Sequence, residues 1–217
     1  MRNRSLSCLA VSFMVIVLFA SGCAQRTYLF NNKDLTGWKP YLGDENVDQN
    51  TVWSVKDGVI HCKGRPNGYI RTSQAYANYK LHVEWRWAEE PTNSGVLLHT
   101  TGQDKVWPRP IEAQLQAGNA GTFILIGTGL GVTVDGKRYQ DNSRPFIGID
   151  RKHDSSEKPA GEWNSYDIFC IEDKISLYVN GMLQNKATKA TQTSGWICLQ
   201  SEGSPIEFRN IYIEPVK

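Results

Sequence analysis

The 217-residue chain lacks an apolar run long enough to cross a membrane as a helix. Its one sustained run, Leu9 to Ala20, falls short of the roughly 20 apolar residues that a spanning helix needs. An excess of charge is missing too. The 24 basic residues face 22 acidic ones, and losing Arg2 and Arg4 with an N-terminal leader would leave 22 against 22. A neutral chain has no basic stripe, which argues against a nucleic-acid partner. Cysteine is scarce. Beyond Cys8 and Cys23 stand only Cys62, Cys170 and Cys198. No CxxC spacing suggests a structural zinc, and an odd number leaves at least one thiol unpaired within the chain. Small buried packing residues and a single disulfide both stay open. Helical periodicity, internal repeats and a second domain are also missing.

The N-terminus reads as a leader. Arg2 and Arg4, the short apolar run and Ala20-Ser21-Gly22-Cys23 describe a secretory signal over 1–22. A Cys directly after small residues is similar to a bacterial lipobox, although Ala20 stands where such motifs prefer Leu. Cys23 is then the acylated first residue, 23–27 a short anchor linker and 28–217 one domain. The expected location is the bacterial cell envelope, periplasmic or surface-facing, with membrane contact through the lipid anchor only. Each buried CH₂ of such an anchor contributes about 0.8 kcal/mol.

What the domain does hold is short β-rich runs. Trp53 to Cys62 is two runs around Asp57-Gly58, a hairpin signal. Tyr79 to Trp87 alternates, as does Ile111 to Gln116. Gly95 to His99, Ile168 to Val179, Trp196 to Ser201 and Ile206 to Ile213 complete the set, with turn signals at Glu172-Asp173 and Asn180-Gly181. At least seven short strands predict an all-β sandwich or jelly roll. Only 117–160 is poorly patterned. Its Gly-x-Gly pieces have no helix after them, which rules out a phosphate loop.

Residues i and i+2 of a strand share a face. Leu81, Val83, Trp85 and Trp87 therefore oppose His82, Glu84 and Arg86. Ile111, Ala113 and Leu115 oppose Glu112, Gln114 and Gln116. Ile197 and Leu199 oppose Cys198, Gln200 and Glu202, and His99 opposes Val96 and Leu98. Solvated sheet faces need only generic polar residues and are rich in Lys, Thr and Ser. Here the polar set is Glu, Gln, His and Arg, so we assign His82, Glu84, Arg86, His99, Glu112, Gln114, Gln200 and Glu202 to one functional sheet face. Trp107, in the loop before Glu112, either stacks on a sugar ring at the rim or simply packs.

Several blocks together resemble a known family. They are Leu29-Phe-Asn-Asn-Lys-Asp-Leu-Thr-Gly-Trp38, Trp53-Ser-Val-Lys-Asp-Gly-Val-Ile60, Gly68-Tyr-Ile-Arg-Thr72, Asn93-Ser-Gly-Val96 and Ile111-Glu-Ala-Gln-Leu115. Further along stand Lys158-Pro-Ala-Gly-Glu-Trp-Asn164, Val179-Asn-Gly181, Gly195-Trp-Ile-Cys-Leu-Gln-Ser-Glu-Gly203 and Pro205-Ile-Glu-Phe-Arg-Asn-Ile211. In this order they resemble the 3-keto-disaccharide hydrolase domain family. Many members carry Arg where His99 stands and His where Glu202 stands. The resemblance implies a concanavalin A-like jelly roll of two antiparallel sheets with a carbohydrate ligand on the concave face of one. It also implies hydrolysis of 3-keto glycosides or disaccharides. A ketone at C3 makes the C2 proton acidic, and a base, an acid and an electrophile complete the reaction. Glu112 is the expected base, with Glu84 and Glu202 as further acid/base candidates. Arg86 or a divalent metal ion is the expected enolate stabiliser, and His82, His99, Glu84 and Glu112 are the mixed N/O set that would hold the metal. His82, Arg86, His99, Trp107, Gln114 and Gln200 are expected to bind substrate. A non-catalytic carbohydrate-binding module on the same fold, or a structural or adhesion protein, are the competing readings.

Overall fold

The structure, a computed structural model, describes residues 25–216. The expected leader at 1–22 and Cys23 lie outside the described residues. In chain order the strands are β1 (Thr27–Tyr28), β2 (Trp38–Leu42), β3 (Trp53–Lys56), β4 (Val59–Cys62), β5 (Gly68–Thr72) and β6 (Tyr79–Trp87). Then come β7 (Gly95–Thr101), β8 (Arg109–Gln114), β9 (Phe123–Ile126), β10 (Gly131–Val134), β11 (Lys137–Gln140) and β12 (Phe146–Ile149). The last are β13 (Asn164–Ile171), β14 (Lys174–Val179), β15 (Met182–Ala187), β16 (Trp196–Ser201) and β17 (Ile206–Pro215). One helical turn, Gln49–Val52, precedes β3. Among the described residues no helix is long and apolar enough to cross a membrane.

Two antiparallel sheets form the sandwich. Sheet one has the order β15-β14-β13-β6-β17-β4-β3, with β1 added on β17. Sheet two has the order β12-β9-β8-β7-β16-β5-β2. The chain crosses between the sheets repeatedly, so several neighbours within a sheet are distant in sequence. Strand β16 lies between β7 and β5, and β17 lies between β6 and β4. The Asp57-Gly58 hairpin forms as read, both residues adopting positive φ, 52° and 76°.

The core lies between the sheets. Alternation in β6 buries Tyr79, Leu81, Val83, Trp85 and Trp87 and leaves the residues between them half-buried. These meet Val96, Leu98, Ile111, Ala113, Ile197 and Leu199 of sheet two. Each large side chain so buried contributes roughly 1.5–3 kcal/mol. Cys62, Cys170 and Cys198 are all buried and unpaired, so they are packing residues and not a disulfide.

Two expectations need correction. The segment 117–160 is not unpatterned, since it supplies β9, β10, β11 and β12. Its Val132-Thr133-Val134-Asp135-Gly136 is a strand running into a turn signal, with Asp135 and Gly136 at positive φ. The linker also ends earlier than 27. Thr27 opens β1, and Arg26 Nε donates to Glu214 Oε1 at 2.9 Å.

Candidate active site

The expected single polar face is divided between the two sheets. His82, Glu84 and Arg86 project from β6, in sheet one, and every one of them is engaged there. Glu84 accepts from Arg209 Nε at 2.6 Å and Asn210 Nδ2 at 3.0 Å. Burial works against its charge, but these partners outweigh it and hold the carboxyl below its usual range. His82 Nδ1 lies 3.0 Å from Asp167 Oδ1, and its ring stacks on Tyr212 at 4.9 Å. Arg86 donates to Glu207 at 2.5 Å, and Trp163 receives Arg86 at 4.7 Å and Arg209 at 3.9 Å. Lys80 joins the same face and pairs with Asp167 at 3.1 Å, so the face does carry Lys. This is a solvated sheet face tied by ion pairs. The alternation was read correctly; the sheet was not.

His99 is displaced for another reason. The ladder slips between Leu98 and Thr101, and His99 adopts φ 51°. A bulge breaks the strict two-residue period. The ring consequently packs edge-on against Tyr79, a core residue, at 5.5 Å. Nδ1 donates to Gln192 O at 3.2 Å. Burial lowers this imidazole to about 4, so it stays neutral.

The other four residues do share a face, the outer face of sheet two. Cross-strand register sets them in two rows. The first row runs Ile124, Glu112, Leu97, Cys198, Arg71, Lys39. The second has Gln114 opposite Gly95 on one side of β7, and Gln200 opposite Tyr69 and then Tyr41 on the other. Glu202 follows Gln200 along β16 and bridges to Asn93. Unlike the outer face of sheet one, this face is buried at its centre. Leu97 is 1 % exposed, and Glu112 and Gln200 are each 3 % exposed.

Gly95 makes the floor of the site. A Cβ there would stand 2.1 Å from Glu112 Oε1 and 3.1 Å from Gln200 Oε1, so only glycine lets the carboxyl and the amide lie across β7. Neither of those oxygens has a hydrogen-bond partner among the described residues. Burial, with the nearby Glu202 adding repulsion, pushes the Glu112 carboxyl up to about 8. Glu202 is half-buried, and burial raises it as well. Gln114 is partly committed, because its Oε1 accepts from the backbone of Leu115 and Gln116 at 2.9 and 3.0 Å.

Sequence reasoning missed one cluster on this face. Asp104 accepts two bonds from Arg71, at 2.9 and 3.0 Å, and a third from the Tyr69 hydroxyl at 2.8 Å. The Arg71 guanidinium lies 4.0 Å over Trp196, and Tyr69 stacks on Tyr41 at 5.5 Å. The signal was present in Gly68-Tyr69-Ile70-Arg71-Thr72, where Ile70 alternates with Tyr69 and Arg71. Asp104 belongs to the β7–β8 loop and carries no periodic signal of its own. Trp107, in the same loop, meets Phe146 edge-on at 6.1 Å, at the end of the face where Ile126 emerges.

The residues proposed for a metal do not converge. His82 and Glu84 stand on sheet one, Glu112 on sheet two and His99 on its core side. Among the described residues no three His, Cys, Asp or Glu side chains gather to hold an ion. We therefore derive no step through a metal.

An antiparallel sandwich of this design is the fold of glycosyl hydrolases and carbohydrate-binding modules. A glycosyl-hydrolase candidate from Parabacteroides distasonis is 24% identical, with a TM-score of 0.65 over 88% of this chain and 94% of that one. A Bacillus licheniformis β-glucanase is 17% identical, with a TM-score of 0.57 over 91% and 100%. The module CBM66 from Bacillus subtilis is 8% identical, with a TM-score of 0.55 over 82% and 95%. No curated protein matches the sequence. The 3-keto-alpha-glucoside-1,2-lyase-like domain matches residues 25–214, and the chain belongs to that family.

Proposed function

We propose that this protein cleaves 3-keto glycosides on the outer face of sheet two, by elimination across C1–C2 and rehydration. The observation that carries the reading is Glu112, a buried carboxyl laid over Gly95 with an unpartnered oxygen and its proton held to about 8. Perturbed carboxyls paired with a second carboxyl mark acid/base sites. Sequence reasoning made Glu112 the base. Its burial suits it better to the acid's part at neutral pH, with Glu202 as the base.

Glu202 takes the C2 proton, and the C–H electron pair forms the C1=C2 bond. The C1–O pair departs with the glycosidic oxygen, which accepts the Glu112 proton. The Gln200 amide donates to the C3 oxygen as charge gathers there. In the reverse sense, the Glu112 carboxylate removes a proton from water adding at C1, and Glu202 returns its proton to C2. The net result is hydrolysis with both carboxyls restored.

Glu112→Gln and Glu202→Gln should each lower turnover of a 3-keto glucoside by roughly 10²–10⁴-fold. Glu112→Gln should lose less on a 4-nitrophenyl 3-keto glucoside, whose leaving group needs no proton. Unchanged turnover in Glu112→Gln sinks the reading. The stacked Tyr41–Tyr69 pair favours a second one, a sugar-binding module. A module shows binding without turnover in the parent protein, and Glu112→Gln leaves it intact.

We also propose export with acylation at Cys23. The family match begins at residue 25, shortly after the leader-like segment. Mass spectrometry of the membrane fraction should find lipidated Cys23. A mature chain with a free N-terminus elsewhere removes the anchor.

A further inference from the structure

One cleft on the outer face of sheet two has no part in the chemistry above. It has a volume of about 410 Å³, within the range of small-molecule sites. Trp107, Ile126, Pro145 and Phe146 supply its apolar walls, and Lys105 and Arg109 its cations. Phe146 is 44% exposed, a large ring held at the surface. Register ties the cleft to the site. Ile124 stands opposite Glu112, and Ile126 is two residues further along the same strand and face, roughly 7 Å away at the rise of a strand.

We propose that this cleft is the leaving-group subsite and that it takes a planar aromatic aglycone in preference to a second sugar. The inference rests on the proposed function for which end of the substrate it holds, but the cleft's preference stands on its lining. A pyranose presents hydroxyls on every edge, and each one buried without a partner costs free energy. The cleft has few donors to offer. Arg109 Nη1 already donates to Gln192 Oε1 at 3.0 Å, its Nη2 is directed at Thr128 O at 3.4 Å, and its stem packs over Gly127. That leaves Lys105, the Trp107 indole N–H and the Thr128 hydroxyl. The Trp107–Phe146 pair, with ring planes at 85°, presents one face and one edge, the arrangement that receives a third ring.

The test is calorimetric titration of the parent protein, Phe146→Ala and Trp107→Ala with 4-nitrophenyl glucoside and methyl glucoside. Neither carries the ketone, so turnover does not enter. Circular dichroism checks that each variant folds, and Phe146 is exposed enough for its loss to be tolerated. The aryl glycoside should bind the parent at least tenfold more tightly than the methyl one. Phe146→Ala should erase most of that preference, by roughly five- to tenfold. Equal affinities in the parent, no binding of either, or a preference that survives both substitutions overturns the proposal. Turnover of the corresponding 3-keto glycosides separates the two claims. No turnover with the aryl preference intact sinks the proposed function and leaves the subsite; turnover without the preference does the reverse.

Discussion

The outer faces of the two sheets carry similar residues and do opposite things with them. On sheet one, Glu84, Arg86, His82, Asp167, Glu207 and Arg209 pair with one another, and all but the buried Glu207 keep some contact with water. On sheet two, Glu112 and Gln200 are nearly fully buried and face unpartnered oxygens across a glycine. Paired charges on a wet face are cheap to keep. A buried carboxyl without a partner is held neutral, which is a chemical resource and a cost to stability. Composition cannot separate the two faces; the degree of pairing and burial does.

The sharpest way to break this contrast is turnover. Glu112→Gln and Glu202→Gln should lose 10²–10⁴-fold, whereas Glu84→Gln should stay within about threefold of the parent. A comparable loss at Glu84 would move the chemistry to sheet one.

Gly95→Ala sharpens the same point. The added methyl meets the far end of the Glu112 side chain, which can swing aside, so folding should change by less than about 1 kcal/mol. The carboxyl is displaced, and a misplacement of about 1 Å costs on the order of 10²-fold in rate. Full activity in a folded Gly95→Ala protein would remove the cradle from the site.

Stability against pH should divide the faces by sign. Glu112 in the fold lies above its ordinary value of 4.5, so between about 4.5 and 8 the folded chain keeps a proton that the unfolded chain has lost. Its contribution therefore falls as pH rises through that window. Glu112→Gln should flatten this slope and raise stability at pH 8 by on the order of 1–3 kcal/mol. Glu84 lies below its ordinary value, so its contribution is present above about 4.5 and fades as pH falls further. Glu84→Gln should cost only about 0.5–1 kcal/mol at neutral pH, because Arg209 is well exposed to solvent. Urea melts of the parent and each variant at about pH 3, 5 and 8 measure both, Glu84 between 3 and 5 and Glu112 between 5 and 8; contributions that change in the same direction with pH would contradict the contrast.

The smallest effect is expected at His99. Its ring lies on the core side and is neutral above about 4, so it adds no titration near neutrality. His99→Gln should leave the pH–rate profile in place and turnover within about threefold. A shifted limb would return His99 to the site.

Much of the fold was legible from alternation. In β6, β8 and β16 an apolar residue at every second position identified the inward side without error. The Asp57-Gly58 turn was equally readable. Where the pattern failed, a physical cause is visible. The bulge after Leu98 breaks the period and turns His99 inward. Strands β9 to β12 are four residues each, too short to establish a period among glycines.

The sequence by itself determined the all-β class, the inward face of each long strand, and the presence of acid, amide and aromatic groups opposite it. It also carried the family, through blocks spread along the chain in order. Only the tertiary structure decided which polar faces belong together. Alternation states that a side chain points away from the core, and in a sandwich two faces satisfy that condition. The choice between them is made by crossovers that place β6 beside β17 and β16 beside β7. Pairing over such distances leaves no local trace, because it rests on long-range hydrogen bonds and on the burial of two sheets against each other.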